Sequence, residues 1–248
     1  MQTLIKQTTL GFKRELIRNP SFLFFSLVMP AGFYLLFTKI MTNESATEQS
    51  HFAVAYMNSM IVFSLLLGMI FSFASLLGED HRQNLLTLMA ITPVNPLTYY
   101  AALVIVMSSL NVLVVLVIEV LAVVMNHVDL TYSSLLVTAG WAVVGGIPLM
   151  LIGATIAQST RPATISALCN LVVFPMAIVS GLWWPLSLLP DWMQQFGKLM
   201  PTYAVSQLLN SATGQATFSW RWVMMLASWV VVISITLGLI LKWHQKRS

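Results

Sequence analysis

The chain is 248 residues long, with 58% hydrophobic and only 8% charged residues. Ordinary globular domains carry about 25% charged residues, so a water-soluble enzyme or nucleic-acid-binding module is excluded at the outset. The net charge of +4 and pI near 9.4 would suggest a polyanionic partner in a soluble chain, but here the placement of the charges decides. One cysteine, Cys169, excludes an internal disulfide framework and any multi-cysteine metal site.

A spanning helix needs roughly 20 mostly apolar residues. Taken in chain order, the apolar stretches predict six: Phe22–Ile40, Ala53–Leu77, Tyr99–Met125, Leu135–Ala157, Ile165–Trp183 and Trp222–Leu241. The arm before the first, with Lys6, Lys13, Arg14 and Arg18, resembles the basic start of a signal peptide. The apolar run that follows exceeds a usual signal core, and Lys39, Glu44 and Glu48 come next instead of a small-residue cleavage site. An uncleaved first helix is therefore expected. Residues 199–220 lack charge but are rich in Ser, Thr, Asn and Gln and hold Pro201 and Gly214, so they are placed outside the hydrocarbon. No alternating ten-residue pattern suggests a membrane barrel.

Six spans put both termini on one side. Nine of the twelve Lys and Arg residues then share that side, in the arm, the inner loops (Arg82, Arg161) and the tail, against Lys39, Lys198 and Arg221 opposite. Positive residues collect in the cytoplasm, so both termini are expected there. The basic pI is topology, and nucleic acid drops out as a partner.

No phosphate-binding loop, zinc helix or nucleophile elbow occurs, and His51, His81, His127 and His244 all fall in loops or the tail. The chain offers no catalytic or metal site. In the cytoplasmic loop 78–98, Leu85, Leu88 and Met89 share one face of a short helix, with Glu79 and Asp80 at its expected start and Thr92-Pro93 at its end. An exposed apolar stripe of this kind suits docking on a partner; resting on lipid headgroups is the plainer use. The outer segment 184–221 carries Trp and Tyr suited to the headgroup layer. Glu119 is the one ionisable residue well inside a span, about 9 Å from its outer end. With Ser108 and Asn111 it forms a partly polar stripe that is a candidate translocation path; a carboxylate reaching up to interface water is the alternative.

Six spans, the acidic start, Leu-x-x-Leu and Thr-Pro of the first cytoplasmic loop, and Gly181-x-Trp183-Trp184-Pro185-x-x-x-x-Pro190-x-Trp192 followed by Pro201 and Tyr203, together resemble ABC-2 type permeases, the membrane subunits of ATP-binding-cassette exporters. The resemblance covers nearly the whole chain. It implies an all-α, six-span single domain over 1–248: a cytoplasmic interface arm at 1–20, a coupling loop at 78–98 and a re-entrant outer hairpin at 184–221. It implies that Glu79, Arg82, Leu85, Leu88, Thr92 and Pro93 dock on a separate cytosolic ATPase, with Asn84 standing where members often carry Gly. Gly181, Trp184, Pro185, Pro190, Trp192, Pro201 and Tyr203 would form the outer hairpin. The implied assembly has two ATPase copies using ATP and Mg, a second permease subunit, identical or not, and no cofactor on this chain. Its expected place is the bacterial inner membrane and its expected cargo a drug-like, peptide or lipid amphiphile. A stand-alone secondary transporter or channel is the alternative.

Overall fold

The computed structural model describes residues 2–18, 24–40, 46–85, 89, 95–159 and 161–245, and among these no strand occurs. Among the described residues ten α-helices follow one another: α1 Gln2–Arg18, α2 Met29–Ile40, α3 Ala46–Leu65, α4 Phe73–Arg82, α5 Pro96–Asn126, α6 Tyr132–Ile156, α7 Pro162–Val179, α8 Asp191–Gly197, α9 Pro201–Ala212 and α10 Trp220–Gln245. Two π-helical segments interrupt the pattern. Phe24–Val28 leads into α2, where Pro30 lacks the N–H that an unbroken α-helix would use. Leu66–Ser72 joins α3 to α4, and the Phe73 N–H reaches back five residues to the Gly68 carbonyl.

Among the described residues, five helical stretches are long and apolar enough to cross a membrane: Gln49–Arg82, Pro96–Asn126, Tyr132–Ile156, Pro162–Val179 and Trp220–Trp243. These overlap the second to sixth expected spans. Where the first is expected, from Phe22, the described residues hold the shorter apolar helix Phe24–Lys39. Gln49–Arg82 is the centre of the bundle, with 83% of its apolar window buried, against 11% for the last helix. The apolar residues left exposed on α5, α7 and α10, such as Val120, Leu171 and Ile235, suit lipid or another subunit.

The segment 199–220, expected outside the hydrocarbon, is helical at α9, which packs against α3, α6 and α10 with Val205, Leu208 and Leu209 buried. Its polar side chains are matched by protein: Asn58 Nδ2 donates to Asn210 Oδ1 at 2.9 Å and to Thr213 Oγ1 at 2.8 Å. One expectation is revised: Glu79 and Asp80 do not open a loop helix. The apolar period continues past Leu77, so they lie in the last turns of α4, and the chain turns at Asn84 with φ 50°, a left-handed conformation that Asn tolerates.

Candidate functional site

The two ends of the bundle differ, and each carries one cluster of sequence-predicted residues. At the arm end, α1 lies along the first turns of α5, with Gly11 seated against Val106. Arg14 Nη1 donates to Asp80 Oδ1 at 3.0 Å, and the Tyr99 hydroxyl donates to Asp80 Oδ2. Asp80 is 5% exposed, and Glu15, also buried, lies 3.9 Å from Arg14 Nε. One guanidinium therefore serves two buried carboxylates, and three elements (α1, α4 and α5) meet at a single polar junction.

One residue away the chemistry changes. Glu79 faces the surface, where Arg82 grips it with two donors at 2.8 and 2.5 Å and Gln83 Nε2 adds a third at 2.5 Å. A carboxylate in a last helical turn opposes the helix dipole, and these donors offset that. His81 Nδ1 lies 3.1 Å from the Ala157 carbonyl, tying α4 to the end of α6. Leu85 and Met89 line a cavity of about 310 Å³ between the arm and α5, opposite Leu10 and Leu103. Leu85 and Met89 thus border the arm. Leu88, Thr92 and Pro93 lie outside the described residues. On the far side of the loop, Asn95 caps α5 by accepting the Leu97 N–H at 2.9 Å, with Pro96 in the first turn.

Midway along the bundle, Asn111 and Glu119 lie on the buried face of α5 and Ser108 is half-buried beside them. Asn111 Nδ2 donates to the Met107 carbonyl at 3.0 Å and packs against Gly68, where a Cβ would stand 2.9 Å from its Oδ1. Glu119 is 1% exposed, and neither of its oxygens has a hydrogen-bond partner among the described residues. A buried polar group without a partner is costly. Glu119→Gln should therefore leave stability within about 1 kcal/mol of the parent or raise it, because no bond is lost. Thermal unfolding of the two proteins in one detergent checks this, and a marked loss would reveal a donor to the carboxylate.

At the other end, Gly181 takes φ +73° to turn the chain out of α7, and Ser180 Oγ meets Thr202 Oγ1 at 2.5 Å, both buried. Trp183 is held among Phe33, Phe63 and Phe174, with ring centroids 5.5–6.3 Å away. Pro185 precedes a 3-10 turn, the Pro190 carbonyl accepts the Gln194 N–H at 3.0 Å, and Pro201 opens α9. Tyr203 packs edge-on to Trp222 at 5.5 Å, while Trp184 and Trp192 remain exposed. The Trp229 indole N–H donates to the Leu199 carbonyl, fastening α10 to this hairpin. The residues of the expected hairpin are thus brought to one end, Glu79, Arg82 and Leu85 lie at the other, and the α5 stripe lies between them.

Sequence reasoning did not single out Gly11, Arg14, Asp80 and Tyr99 as one unit, nor Asn58 as the anchor of α9. Each acts through a partner remote in sequence, and no local pattern marks such pairs.

Two comparisons bear on this arrangement. The chain is 26% identical over 235 residues to "Putative transport permease YvfS" of Bacillus subtilis (strain 168), covering 95% of each chain. The model of the family described as ABC-2 type transporter matches residues 2–212, from the arm through α9. Members of that family generally work with an ATP-binding subunit. With several apolar helices of membrane-crossing length and a match that spans arm, loop and hairpin alike, the chain belongs to the ABC-2 type transporter family and is a membrane-embedded transport permease.

Proposed function

We propose that this chain is the membrane subunit of an ABC exporter, a single domain with six spans and both termini in the cytoplasm of a bacterial cell. The nine-to-three distribution of Lys and Arg supports the orientation, and the apolar helix Phe24–Lys39 supplies the first span. Two permease chains, identical or homologous, pair over two cytosolic ATPase subunits, which bind ATP and Mg. This chain provides the path and no catalysis. Export follows from the resemblance carried by the hairpin motif.

The observation that carries this reading is the polar junction at the arm end. Arg14, Asp80 and Tyr99 join the arm, the central helix and α5 where the loop to Pro96 emerges. A push on that loop acts on the helix that runs through the middle of the bundle. Glu79, Arg82, Leu85, Leu88, Thr92 and Pro93 meet the ATPase, and its closure biases the paired bundles between inward-open and outward-open states. Ser108, Asn111 and Glu119 line the path once the bundles separate. The cargo is an amphiphile of drug-like, peptide or lipid type, in keeping with a largely apolar interior.

A tagged protein drawn from native membranes in mild detergent is expected to bring along a soluble protein bearing a phosphate-binding loop in stoichiometric amount. Glu79→Ala combined with Leu85→Ala should reduce its recovery at least tenfold. Repeated recovery of the intact permease without any ATPase would overturn the reading in favour of a stand-alone transporter. For the path, Glu119→Gln with unchanged transport, substrate range and ATPase stimulation would remove that residue from it.

A further inference from the structure

A second cavity, of about 400 Å³, lies at the hairpin end, between α2 and α3 on one side and the hairpin and α9 on the other. That volume falls within the roughly 300–1,000 Å³ usual for small-molecule sites. One wall is aromatic. Phe52 stacks on Tyr56 with centroids 5.6 Å apart and rings 16° from parallel, and Phe37 leans on the same tyrosine at 5.2 Å. The hairpin contributes Trp183, and α9 contributes Ser206, Gln207 and Asn210. No Asp, Glu, Lys or Arg lines the cavity among the described residues.

Two lining side chains carry donors with nothing to donate to. The Tyr56 hydroxyl and the Trp183 indole N–H are buried and have no hydrogen-bond partner among the described residues, although Tyr56 is 6% exposed overall. Tyr and Trp normally find a partner when buried, and an orphaned buried donor destabilises the empty state. Those two donors are closed off from the open space of the cavity; donors that line it are on the α9 side chains Ser206 and Gln207, which an occupant bearing acceptors can engage. A charged occupant would lose its hydration and meet no counter-charge among the described residues, so the described lining selects against it. Flat aromatic walls favour a flat partner through offset or edge-on ring packing.

We propose that this cavity is a binding site for an uncharged amphiphile with an aromatic body and at least one hydrogen-bond acceptor. The proposal rests on the permease reading for its physiological sense, and names the class of cargo held at the hairpin end. Seated there, such a molecule lies against the turn at Gly181 and against α9, the two elements that Ser180 and Thr202 tie together. Loading and release would then depend on the hairpin.

The test uses the full chain in phosphatidylcholine nanodiscs, titrated with dansylamide and separately with 5-dimethylaminonaphthalene-1-sulfonate. Both share the fluorescent naphthalene body and sulfonyl acceptors, and only the second is charged at neutral pH. Saturable binding of dansylamide is expected, at least tenfold tighter than that of the sulfonate. Ser59→Trp and Gln207→Trp, which fill the cavity from opposite walls, should each weaken it at least tenfold and leave only linear partition into lipid. Dansylamide signal no greater than that of empty nanodiscs, equal binding of both probes, or undiminished binding in both filled variants would overturn the proposal. The comparison of the two probes on the unsubstituted protein stands even if a filled variant does not fold. Binding needs no ATPase, so the two readings fail separately. An ATPase recovered in the pulldown without saturable probe binding sinks the cavity alone, and saturable binding without an ATPase sinks the exporter assembly alone.

Discussion

Gly153→Ala is expected to lower the midpoint of thermal unfolding by about 5–10 °C, on the basis that overpacking costs about 1–3 kcal/mol or more and each kcal/mol moves a chain of this size by about 2–4 °C. Gly153 sits in α6 where it crosses the π segment of the central helix. A Cβ there would stand 2.7 Å from the Met69 carbonyl oxygen and 3.0 Å from that of Ile70. Those are backbone atoms, already displaced from ordinary helical bonding by the wide turn, and they cannot step aside as a side-chain tip could. Small residues let helices approach this closely in membranes, where dispersion takes over from the hydrophobic effect as the source of association. Gly140→Ala and Gly238→Ala are the controls. A Cβ at either position meets nothing within 4 Å, so the better helix propensity of alanine should leave stability equal or slightly higher. Unfolding followed by intrinsic fluorescence in one detergent compares all three. An unshifted Gly153→Ala would mean that α6 does not seat on the π segment.

What was legible in the sequence divides along the same line. Long apolar runs reported the second to sixth spans to within a few residues, because hydropathy is a local property and hydrocarbon imposes it on every span. The hairpin was legible from Gly181 and its prolines, whose backbone constraints are also local. What stayed hidden depended on partners. α9 read as too polar to cross hydrocarbon, and no local pattern showed that Asn210 and Thr213 are answered by Asn58, some 150 residues earlier. Glu79 and Asp80 read as the start of a loop helix because an acidic pair suits a helix start. The same pair ends α4, because Arg82 answers one carboxylate and Arg14 the other. Period and propensity do not report on a partner 66 positions away.

Arg14→Ala is expected to cost about 1–3 kcal/mol of stability and to free the arm. Breaking a buried pair costs about 3–5 kcal/mol when both partners are fully buried. The Arg14 side chain is 38% exposed, and solvent screening reduces the figure accordingly. Among the described residues Asp80 would keep the Tyr99 hydroxyl alone, in a setting that is 5% exposed. Asp80→Asn should cost less, since the amide oxygen still accepts while the charge is gone, and the two changes together should cost less than their sum, with a coupling of about 1–2 kcal/mol. Hydrogen exchange over residues 2–18 is the direct readout, because an arm held by this junction loses protection when the junction goes. Additive effects, or unchanged exchange in the arm, would show that Gly11 against Val106 and the apolar contacts hold the arm unaided. The neighbouring pair gives the contrast. Arg82→Ala removes an exposed i, i+3 contact to Glu79, and such pairs contribute little to folding. If Arg82→Ala leaves the midpoint and arm exchange untouched but weakens ATPase recovery in the pulldown, the two ion pairs have separate tasks. Arg14 with Asp80 would then hold the three elements together, and Glu79 with Arg82, one residue along the same helix, would present charge to the partner. That division would explain why two acidic residues stand side by side at the end of the central helix: one side faces the protein and the other faces whatever drives it.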